Sequence, residues 1–251
     1  MSSPLMRYCR SLGRYEEGLR AALEAYAFIV EGPMGFPRDR ELESSSALSW
    51  ATDCGLSCLT AASVASLVEG AEVCVVTPGF TLGSSKDDRR CDVVLATDSS
   101  YETLARLNLR PDVIVGDADA SLRLLRMSAQ LDAPFLIHAH GDNLHRVSCL
   151  IRSLSKARVV VTTQIETPYC TLPIGAFTDG DRAAALALAF RARSVLMEPL
   201  ELKPYCFHKD YCDAALKGSK LALAREVLSY VAARTGYSLR FTGDKLVIER
   251  S

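Results

Sequence analysis

The sequence predicts an α/β fold: a doubly wound, mostly parallel sheet flanked by helices, with a helical N-terminal region and a short helix-plus-hairpin C-terminus. After Gly70, short β-branched and apolar runs alternate with amphipathic or Ala/Leu-rich stretches. Runs that are apolar on both faces are typical of parallel strands that helices cover on both sides. Before Gly70 and after Leu200, small and apolar residues recur instead with a helical period. We therefore expect one α/β core with helical flanks.

The strands of the predicted core come from six short runs. They lie at residues 72–77, 92–96, 112–115, 134–137, 158–161 and 194–197. Helical stretches fill most of the gaps between these runs, at residues 100–109, 121–131, 143–157 and 179–193. This alternation predicts a sheet of five or six strands.

The chain divides into three predicted parts. These are a mostly helical N-terminal region at 1–69, a metal- and nucleotide-binding α/β core at 70–200, and a C-terminal helix and hairpin packed on the core at 201–251. Within the flanks we expect helices at 14–30, 46–69 and 210–234 and a hairpin at 238–249. Proline and glycine between residues 33 and 37 predict a loop after the first helix. The N-terminal region carries no recognisable chemistry, so packing, a lid and a homo-oligomer contact are open alternatives for its role.

Composition and charge narrow the class of protein. The chain has 251 residues, 49% of them hydrophobic and 24% charged, and a formal net charge of −1. A general nucleic-acid binder needs a basic surface, so we expect no nucleic-acid partner. No apolar stretch approaches the roughly 20 residues that span a bilayer, and the first residues lack the apolar segment of a secretory signal. We expect a cytoplasmic protein without a membrane partner.

Nine cysteines are many for such a protein, but they are scattered and form no C-x-x-C pair. We interpret them as buried thiols that act as small hydrophobic residues. A disulfide between Cys206 and Cys212 is the alternative, because intracellular disulfides occur in hyperthermophiles.

Three acidic turns carry the strongest chemical signal. They are GDAD at 116–119, HAHGDN at 138–143 and FTDGDR at 177–182. The first two follow predicted strands, and the third opens an Ala-rich helix. Carboxylate and amide oxygens at the carboxyl ends of parallel strands are suited to a divalent metal beside a phosphate. Since neighbouring carboxylates raise one another's pKa unless a cation neutralises them, we expect Mg²⁺.

Other polar residues at the same predicted edge have two interpretations. The turn at Pro78 and Gly79 forms a phosphate cradle or simply ends a strand. Asp98, before Ser99, ligates metal or caps a helix, and Asp179 has the same two alternatives. Thr163 and Gln164 follow the fifth strand, where they are candidates for the polar edge of a substrate pocket.

Together these motifs resemble the archaeal 6-hydroxymethyl-7,8-dihydropterin pyrophosphokinase family, a distant relative of the thiamine pyrophosphokinases. The resemblance covers roughly residues 70–235, and HAHGDN and FTDGDRA are its most specific parts. It implies transfer of a diphosphate from ATP, the co-substrate, to the hydroxymethyl group of a reduced pterin. AMP is the other product, Mg²⁺ is required, and the step belongs to tetrahydromethanopterin or folate-type cofactor biosynthesis.

The positions of the motifs and the resemblance together suggest roles for individual residues. Metal ligands are expected among Asp117, Asp119, Asp98 and Asp142. Residues expected to bind the nucleotide or acceptor are Pro78, Gly79, Asp98, Ser99, Asn143, Thr163, Gln164, Asp179 and Asp181. Catalytic roles are expected for Asp117, Asp119, Asp142, His140 and Arg182, with Asp142 or His140 orienting or deprotonating the acceptor hydroxyl and Arg182 stabilising phosphate charge.

The chain also departs from the family pattern. The first acidic turn has Ala118 and Ala120, where a D-L-D-G turn is expected, and Ala176 stands where the family usually has a glycine. These changes keep all the predicted metal ligands, but they affect the expectation of which molecule is the acceptor. Transfer to thiamine or another small alcohol therefore stays open. The pair Asp117 and Asp119 also suggests a phosphohydrolase of the haloacid dehalogenase type, but such enzymes carry the nucleophile on the first core strand, which disfavours this alternative. Nucleotide binding without turnover is the non-enzyme alternative.

Overall fold

The predicted α/β class is confirmed. The structure is a computed structural model that describes residues 3–35, 38–49, 52–80, 91–97, 99–120, 126–127, 130–155, 158–198, 214–242 and 245–251. In these ranges the strands form one mixed, mostly parallel sheet, and helices pack on both of its faces.

The sheet has the order β6-β5-β4-β3-β2-β1-β7-β9-β8. Its strands are β1 Glu72–Val76, β2 Val93–Thr97, β3 Val113–Gly116, β4 Phe135–His138, β5 Val159–Thr163, β6 Leu172–Pro173, β7 Ser194–Glu198, β8 Tyr237–Thr242 and β9 Lys245–Arg250. The first seven run parallel to one another, and all six predicted strands are among them. The two-residue β6 was not predicted, since so short a run has no detectable period. The predicted hairpin is confirmed as β8 and β9, and β9 extends the sheet antiparallel to β7.

The helices flank this sheet in sequence order. They are α1 Pro4–Tyr8, α2 Glu16–Ala25, α3 Gly32–Met34, α4 Arg38–Leu48, α5 Cys54–Val68, α6 Tyr101–Leu107, α7 Leu144–Ser153, α8 Asp179–Ala189 and α9 Ala214–Thr235. A 3₁₀ segment at Arg10–Tyr15 precedes α2, and a π-helical segment at Tyr26–Glu31 follows it. No described helix is long and apolar enough to cross a membrane.

Two predictions in the N-terminal region were wrong. The loop predicted at residues 33–37 is wrong at its start, because helical backbone continues through α3, Gly32–Met34. The helix α4, which begins at Arg38, was not predicted. The predicted helix at 46–69 is two helices: α4 ends at Leu48, and α5 begins after Asp53, whose side chain accepts a hydrogen bond from the backbone of Leu56. The α4 sequence is charged and rich in serine, so it has little apolar period to detect. Most of the predicted helix at 121–131 lies outside the described residues.

The sheet separates two apolar layers. On one face, Val75 and Leu95 pack with residues of α1, α2, α5, α8 and α9. On the other face, Ile137 packs with α7, and a smaller cluster includes Leu104 of α6. Every residue of α8 from Gly180 to Ala189 is buried, so this helix lies between the sheet and the outer helices. Its N-terminus is thereby fixed at the carboxyl edge of the sheet.

The prediction that the cysteines are buried thiols was wrong for seven of them: six form disulfides, and Cys149 is exposed. The structure contains disulfides Cys9–Cys58, Cys54–Cys170 and Cys74–Cys91, with Cα–Cα distances of 5.3, 5.6 and 5.6 Å. The paired residues are 49, 116 and 17 positions apart, so no local spacing reveals them. Cys149 is a free, exposed thiol. Cys206 and Cys212 lie outside the described residues.

Candidate active site

A cleft of about 430 Å³ opens at the carboxyl ends of β3, β4 and β5. Residues that follow these strands line its floor, and the π-helical segment and α4 contribute to its wall. Its basic side chains are Arg38, Arg40, Arg146, Arg182 and Lys220. The cleft therefore lies where a parallel α/β sheet places its ligands, and it combines acidic with basic groups.

The first acidic turn follows β3 directly. Asp117 and Asp119 line the cleft on either side of Ala118, whose φ of 61° lies in the left-handed region. The carboxylate of Asp117 accepts a hydrogen bond of 3.1 Å from the backbone N–H of Asp119. A left-handed alanine is unfavourable by about 1–2 kcal/mol, so the surrounding structure must hold this turn in place.

The two carboxylates of the third acidic turn have different roles. Thr178 is the N-cap of α8, and Asp181 completes a capping box with it. The Asp181 carboxylate is fully buried, which raises its pKa, and it accepts hydrogen bonds from the backbone N–H groups of Phe177 and Thr178. Asp181 is thus used within the turn, and Asp179 is not the cap.

Three carboxylates meet beside the cleft. Ligand oxygens of Asp117, Asp119 and Asp179 all lie within 4.8 Å of one another, and each side chain is partly exposed. Hard oxygen donors that converge in this way fit Mg²⁺. Two of the predicted metal ligands, Asp117 and Asp119, are brought together, and Asp179 joins them. Asp98 lies outside the described residues.

Asp142 is directed to a different partner. Its side chain is 74% exposed, and its carboxylate lies 2.5 Å from Nδ1 of His140. Nε2 of the same ring lies 3.3 Å from the carboxylate of Asp117. Burial lowers the pKa of His140, but the hydrogen bonds with Asp117 and Asp142 outweigh burial and raise it to about 9. The hydrogen bond from His140 in turn lowers the pKa of Asp142.

His138 differs from His140 although the two rings are only 5.5 Å apart. It is 1% exposed, and its Nδ1 lies 3.2 Å from the carbonyl oxygen of Thr162. Burial lowers the pKa of His138 well below its ordinary value, so the ring is neutral, with Nδ1–H as the donor to that carbonyl. Nε2 is then an acceptor, and it has no hydrogen-bond partner among the described residues.

Asn143 holds the turns after β3 and β4 together. Its side-chain amide donates hydrogen bonds of 2.8 Å to the carbonyl oxygens of Asp117 and His138. Its side-chain oxygen accepts a hydrogen bond of 3.1 Å from the backbone N–H of His140. Because this amide is used internally, Asn143 positions the acidic turn.

Arg182 and Gln164 form a buried polar connection across the floor. The Arg182 side chain is 3% exposed and donates a 3.0 Å hydrogen bond to the carboxylate of Asp179. It also donates a 3.4 Å hydrogen bond to the side-chain oxygen of Gln164. The Gln164 amide donates to the hydroxyl of Tyr26 at 3.2 Å. The connection therefore runs from the three carboxylates to the N-terminal region.

Comparisons with known proteins agree with these motifs. No protein-family model matches the chain. A 6-hydroxymethyl-7,8-dihydropterin pyrophosphokinase of Pyrococcus furiosus is 30% identical over 163 residues, which cover 61% of this chain and 68% of that protein. The chain belongs to this pyrophosphokinase family. Its relatives of the same name in Methanocaldococcus jannaschii and Methanothermobacter thermautotrophicus are 26% and 31% identical, over 72% and 43% of this chain and 78% and 46% of their own lengths.

The resemblance inferred from the sequence motifs is thus confirmed, and the chain is a diphosphotransferase by family. The residues that line the cleft include His140, Asp142, Asn143, Gln164 and Arg182, as well as Asp117 and Asp119. The predicted edge of the sheet therefore brings together most of the residues that the motifs identified.

Six of the predicted residues that the structure describes do not line the cleft; Asp179 lies beside it in the three-carboxylate group, Asp181 is used in the cap of α8, and the other four lie elsewhere. The carbonyl oxygen of Pro78 accepts a 2.7 Å hydrogen bond from Thr103, and Gly79 lies in the same turn. The Ser99 hydroxyl lies 3.3 Å from that of Thr97. The buried Thr163 hydroxyl donates to the carbonyl oxygen of Ile165 at 2.9 Å. Their predicted contacts with substrate remain predictions.

The sequence reasoning missed the contribution of the N-terminal region. Tyr26 and Glu41 enter the wall of the cleft from the π-helical segment and α4. Glu41 is 6% exposed, and its carboxylate accepts a hydrogen bond from the backbone N–H of Gln164, 123 residues away. Neither residue belongs to a motif, and only the tertiary fold brings them to the site.

Proposed function

We propose that the protein transfers a diphosphate group from ATP to the hydroxymethyl group of 6-hydroxymethyl-7,8-dihydropterin and releases AMP. One observation carries the proposal: three carboxylates converge beside a cleft with basic side chains, in a chain whose relatives are named for this activity. We assign the step to tetrahydromethanopterin or folate-type cofactor biosynthesis, where a diphosphorylated pterin is the activated intermediate.

The donor set suits the metal ion that the reaction needs. Asp117, Asp119 and Asp179 would hold Mg²⁺ through their carboxylate oxygens. When bound, the ion neutralises charge on the phosphates of ATP. Asn143 and Arg182 support this group, because the first holds the backbone of Asp117 and the second holds the carboxylate of Asp179. The protein thus fixes the positions of two of the three ligands before substrate arrives.

The basic side chains of the cleft suit a triphosphate. Arg146 is anchored by hydrogen bonds of 3.1 and 3.2 Å to the carbonyl oxygens of Asp119 and Ala120. Lys220 of α9 lies over the ring of Phe177, 5.4 Å from the ring centroid. Cations placed around anionic oxygens stabilise the charge that spreads over a phosphoryl group during transfer. We assign Arg146 and Lys220 to phosphate binding.

In the transfer step, the hydroxymethyl oxygen attacks the β-phosphorus, and the bond from that phosphorus to the oxygen bridging to the α-phosphate breaks. AMP leaves with the bridging oxygen, and the hydroxyl proton passes to an acceptor in the site. Nε2 of His138 is an acceptor, but the surrounding protein covers it. We therefore assign orientation of the hydroxyl to the sequence-based candidates His140 and Asp142, which line the cleft with exposed side-chain surface.

Loss of one carboxylate tests the proposal. We expect Asp117→Asn to reduce Mg²⁺-dependent AMP formation by about 100-fold or more. The matched control is Asp132→Asn, because that side chain is fully exposed and lies before β4, at the other end of the strand from the cleft. The activity of this control should stay within about twofold of that of the unsubstituted protein. Full activity of Asp117→Asn would overturn the assignment of the metal ligands. Faster transfer to thiamine than to the pterin would overturn the assignment of the pterin as the acceptor.

A further inference from the structure

Glu41 is a buried carboxylate that the phosphate chemistry does not use. It lines the cleft from α4 and is 6% exposed, and α4 packs against β5 and α7. It is not one of the three carboxylates that converge at the metal position. Burying a carboxylate is unfavourable in free energy unless hydrogen-bond donors surround it. The partners of Glu41 therefore indicate its role.

Among the residues that the structure describes, the donors around Glu41 leave its carboxylate partly satisfied. The backbone and side-chain amides of Gln164 are its hydrogen-bond partners. An ionised carboxylate has about four acceptor positions. Burial raises the pKa of Glu41 to about 7, although Gln164 and the charge of Arg182 oppose this shift. Because Gln164 supplies its only hydrogen bonds among the described residues, the ionised carboxylate of Glu41 can accept further N–H groups from a molecule in the cleft.

Glu41 also lies at one end of the polar connection that leads to the metal position. Gln164 is hydrogen-bonded to Glu41 and accepts from Arg182, and Arg182 donates to Asp179. A substrate that spans this line would contact Glu41 with one end and present its other end to the phosphates. The acceptor has that shape, because its pyrimidine ring and its hydroxymethyl group are at opposite ends of a flat bicyclic molecule.

We propose that Glu41 recognises the acceptor by accepting hydrogen bonds from the 2-amino group and the adjacent ring N–H of the pterin. This inference rests on the proposed function and adds a specificity-determining residue to it. The two donors are parallel and match the two oxygens of a carboxylate, as in bidentate pairs. Adenine presents a donor beside an acceptor on its comparable edge, which suits an amide better than a carboxylate. Glu41 thus selects the pterin over the nucleotide base.

Substitution of Glu41 by glutamine tests this role. We expect Glu41→Gln to raise the KM for the dihydropterin by about 10- to 100-fold, since a charge-assisted hydrogen bond is lost and two donors then face each other. The KM for ATP should change by less than about twofold. Glu43→Gln is the matched control, because Glu43 is exposed on the same helix, and its KM values should match those of the unsubstituted protein.

A second acceptor distinguishes lost recognition of the pterin from a general loss of activity in the variant. In the analogue with a 2-oxo group in place of the 2-amino group, a glutamine at position 41 can donate to the new oxygen and accept from the ring N–H. We expect the preference for the 2-amino acceptor, as a ratio of kcat/KM values, to fall by about 100-fold in Glu41→Gln. Glu41→Asp, which keeps the charge, should retain the preference for the 2-amino acceptor.

The outcomes separate this inference from the proposed function. An active unsubstituted protein whose Glu41→Gln variant keeps the 2-amino preference would overturn the inference alone. Equal rises in the KM for ATP and for the pterin would also overturn it, because Glu41 would then only hold Gln164 in place. If the unsubstituted protein formed no AMP with any pterin, the proposed function itself would fall.

Discussion

Removing the disulfide Cys54–Cys170 should destabilise the protein strongly. The bond joins α5 to the segment between β5 and β6, and its residues are 116 positions apart. In the chain-entropy description, closing a loop of this length stabilises the folded state by about 5 kcal/mol. For a chain of this size that corresponds to a fall in Tm of about 10–20 °C when both cysteines are replaced by serine.

The disulfide Cys74–Cys91 provides an internal comparison. Its residues are only 17 positions apart, so the same description predicts about 3 kcal/mol and a fall in Tm of about 6–12 °C. Cys149→Ser is the control, because this thiol is exposed and free, and the free energy of unfolding should change by less than about 0.5 kcal/mol.

The assay combines thermal unfolding with a count of thiols in the unreduced, denatured protein. The chain has nine cysteines, and six are in the disulfides, so at most three thiols should react. Reaction of more than three thiols, or equal Tm losses for the 17- and 116-residue pairs, would refute this reasoning.

Further predictions concern the metal position, a buried carboxyl and the packing of α2. Asp179→Asn should weaken Mn²⁺ binding, measured by electron paramagnetic resonance, by about tenfold or more, whereas Asp142→Asn should change it little; equal effects would contradict the three-carboxylate group. Because the folded pKa of Glu41, about 7, is raised by burial, the folded state holds its proton at a pH where the unfolded chain has lost it. Stability should therefore fall between about pH 4.5 and 7 relative to Glu41→Gln, by about 3 kcal/mol at most, and parallel pH profiles from chemical denaturation would count against this pKa. Gly175→Ala should destabilise the fold by about 1–3 kcal/mol, because an added Cβ would overlap the backbone of α2, while Gly218→Ala, in open space on α9, should stabilise it by about 0.5–1 kcal/mol; similar shifts in Tm for the two variants would refute the close packing.

The strands and the acidic edge were predictable because their signals are local. Each parallel strand is buried on both faces, so its apolar run is visible in the sequence, and the turn that follows it carries polar residues. The topology of a parallel sheet then gathers those turns at one edge. This is why Asp117 and Asp119 could be placed beside His140 and Gln164 before their geometry was known.

The rest of the site depends on contacts that no local pattern encodes. Glu41 reaches the cleft only because α4 packs against β5. The sequence of α4 has no apolar period, so the helix itself could not be predicted. The assignment of Asp179 to the metal position follows from Thr178 and Asp181 forming the cap of α8, which leaves Asp179 outside the capping box. The disulfides likewise join residues that are adjacent only in the folded chain.

The products of a single reaction test the central claim most directly. The protein, Mg²⁺, ATP and 6-hydroxymethyl-7,8-dihydropterin would be mixed and followed by ³¹P nuclear magnetic resonance and chromatography. We predict about one AMP for each pterin that acquires a diphosphate on its hydroxymethyl oxygen, and no ADP, as in-line attack on the β-phosphorus requires. ADP together with a pterin monophosphate, or AMP and free diphosphate with the pterin unchanged, would contradict the account.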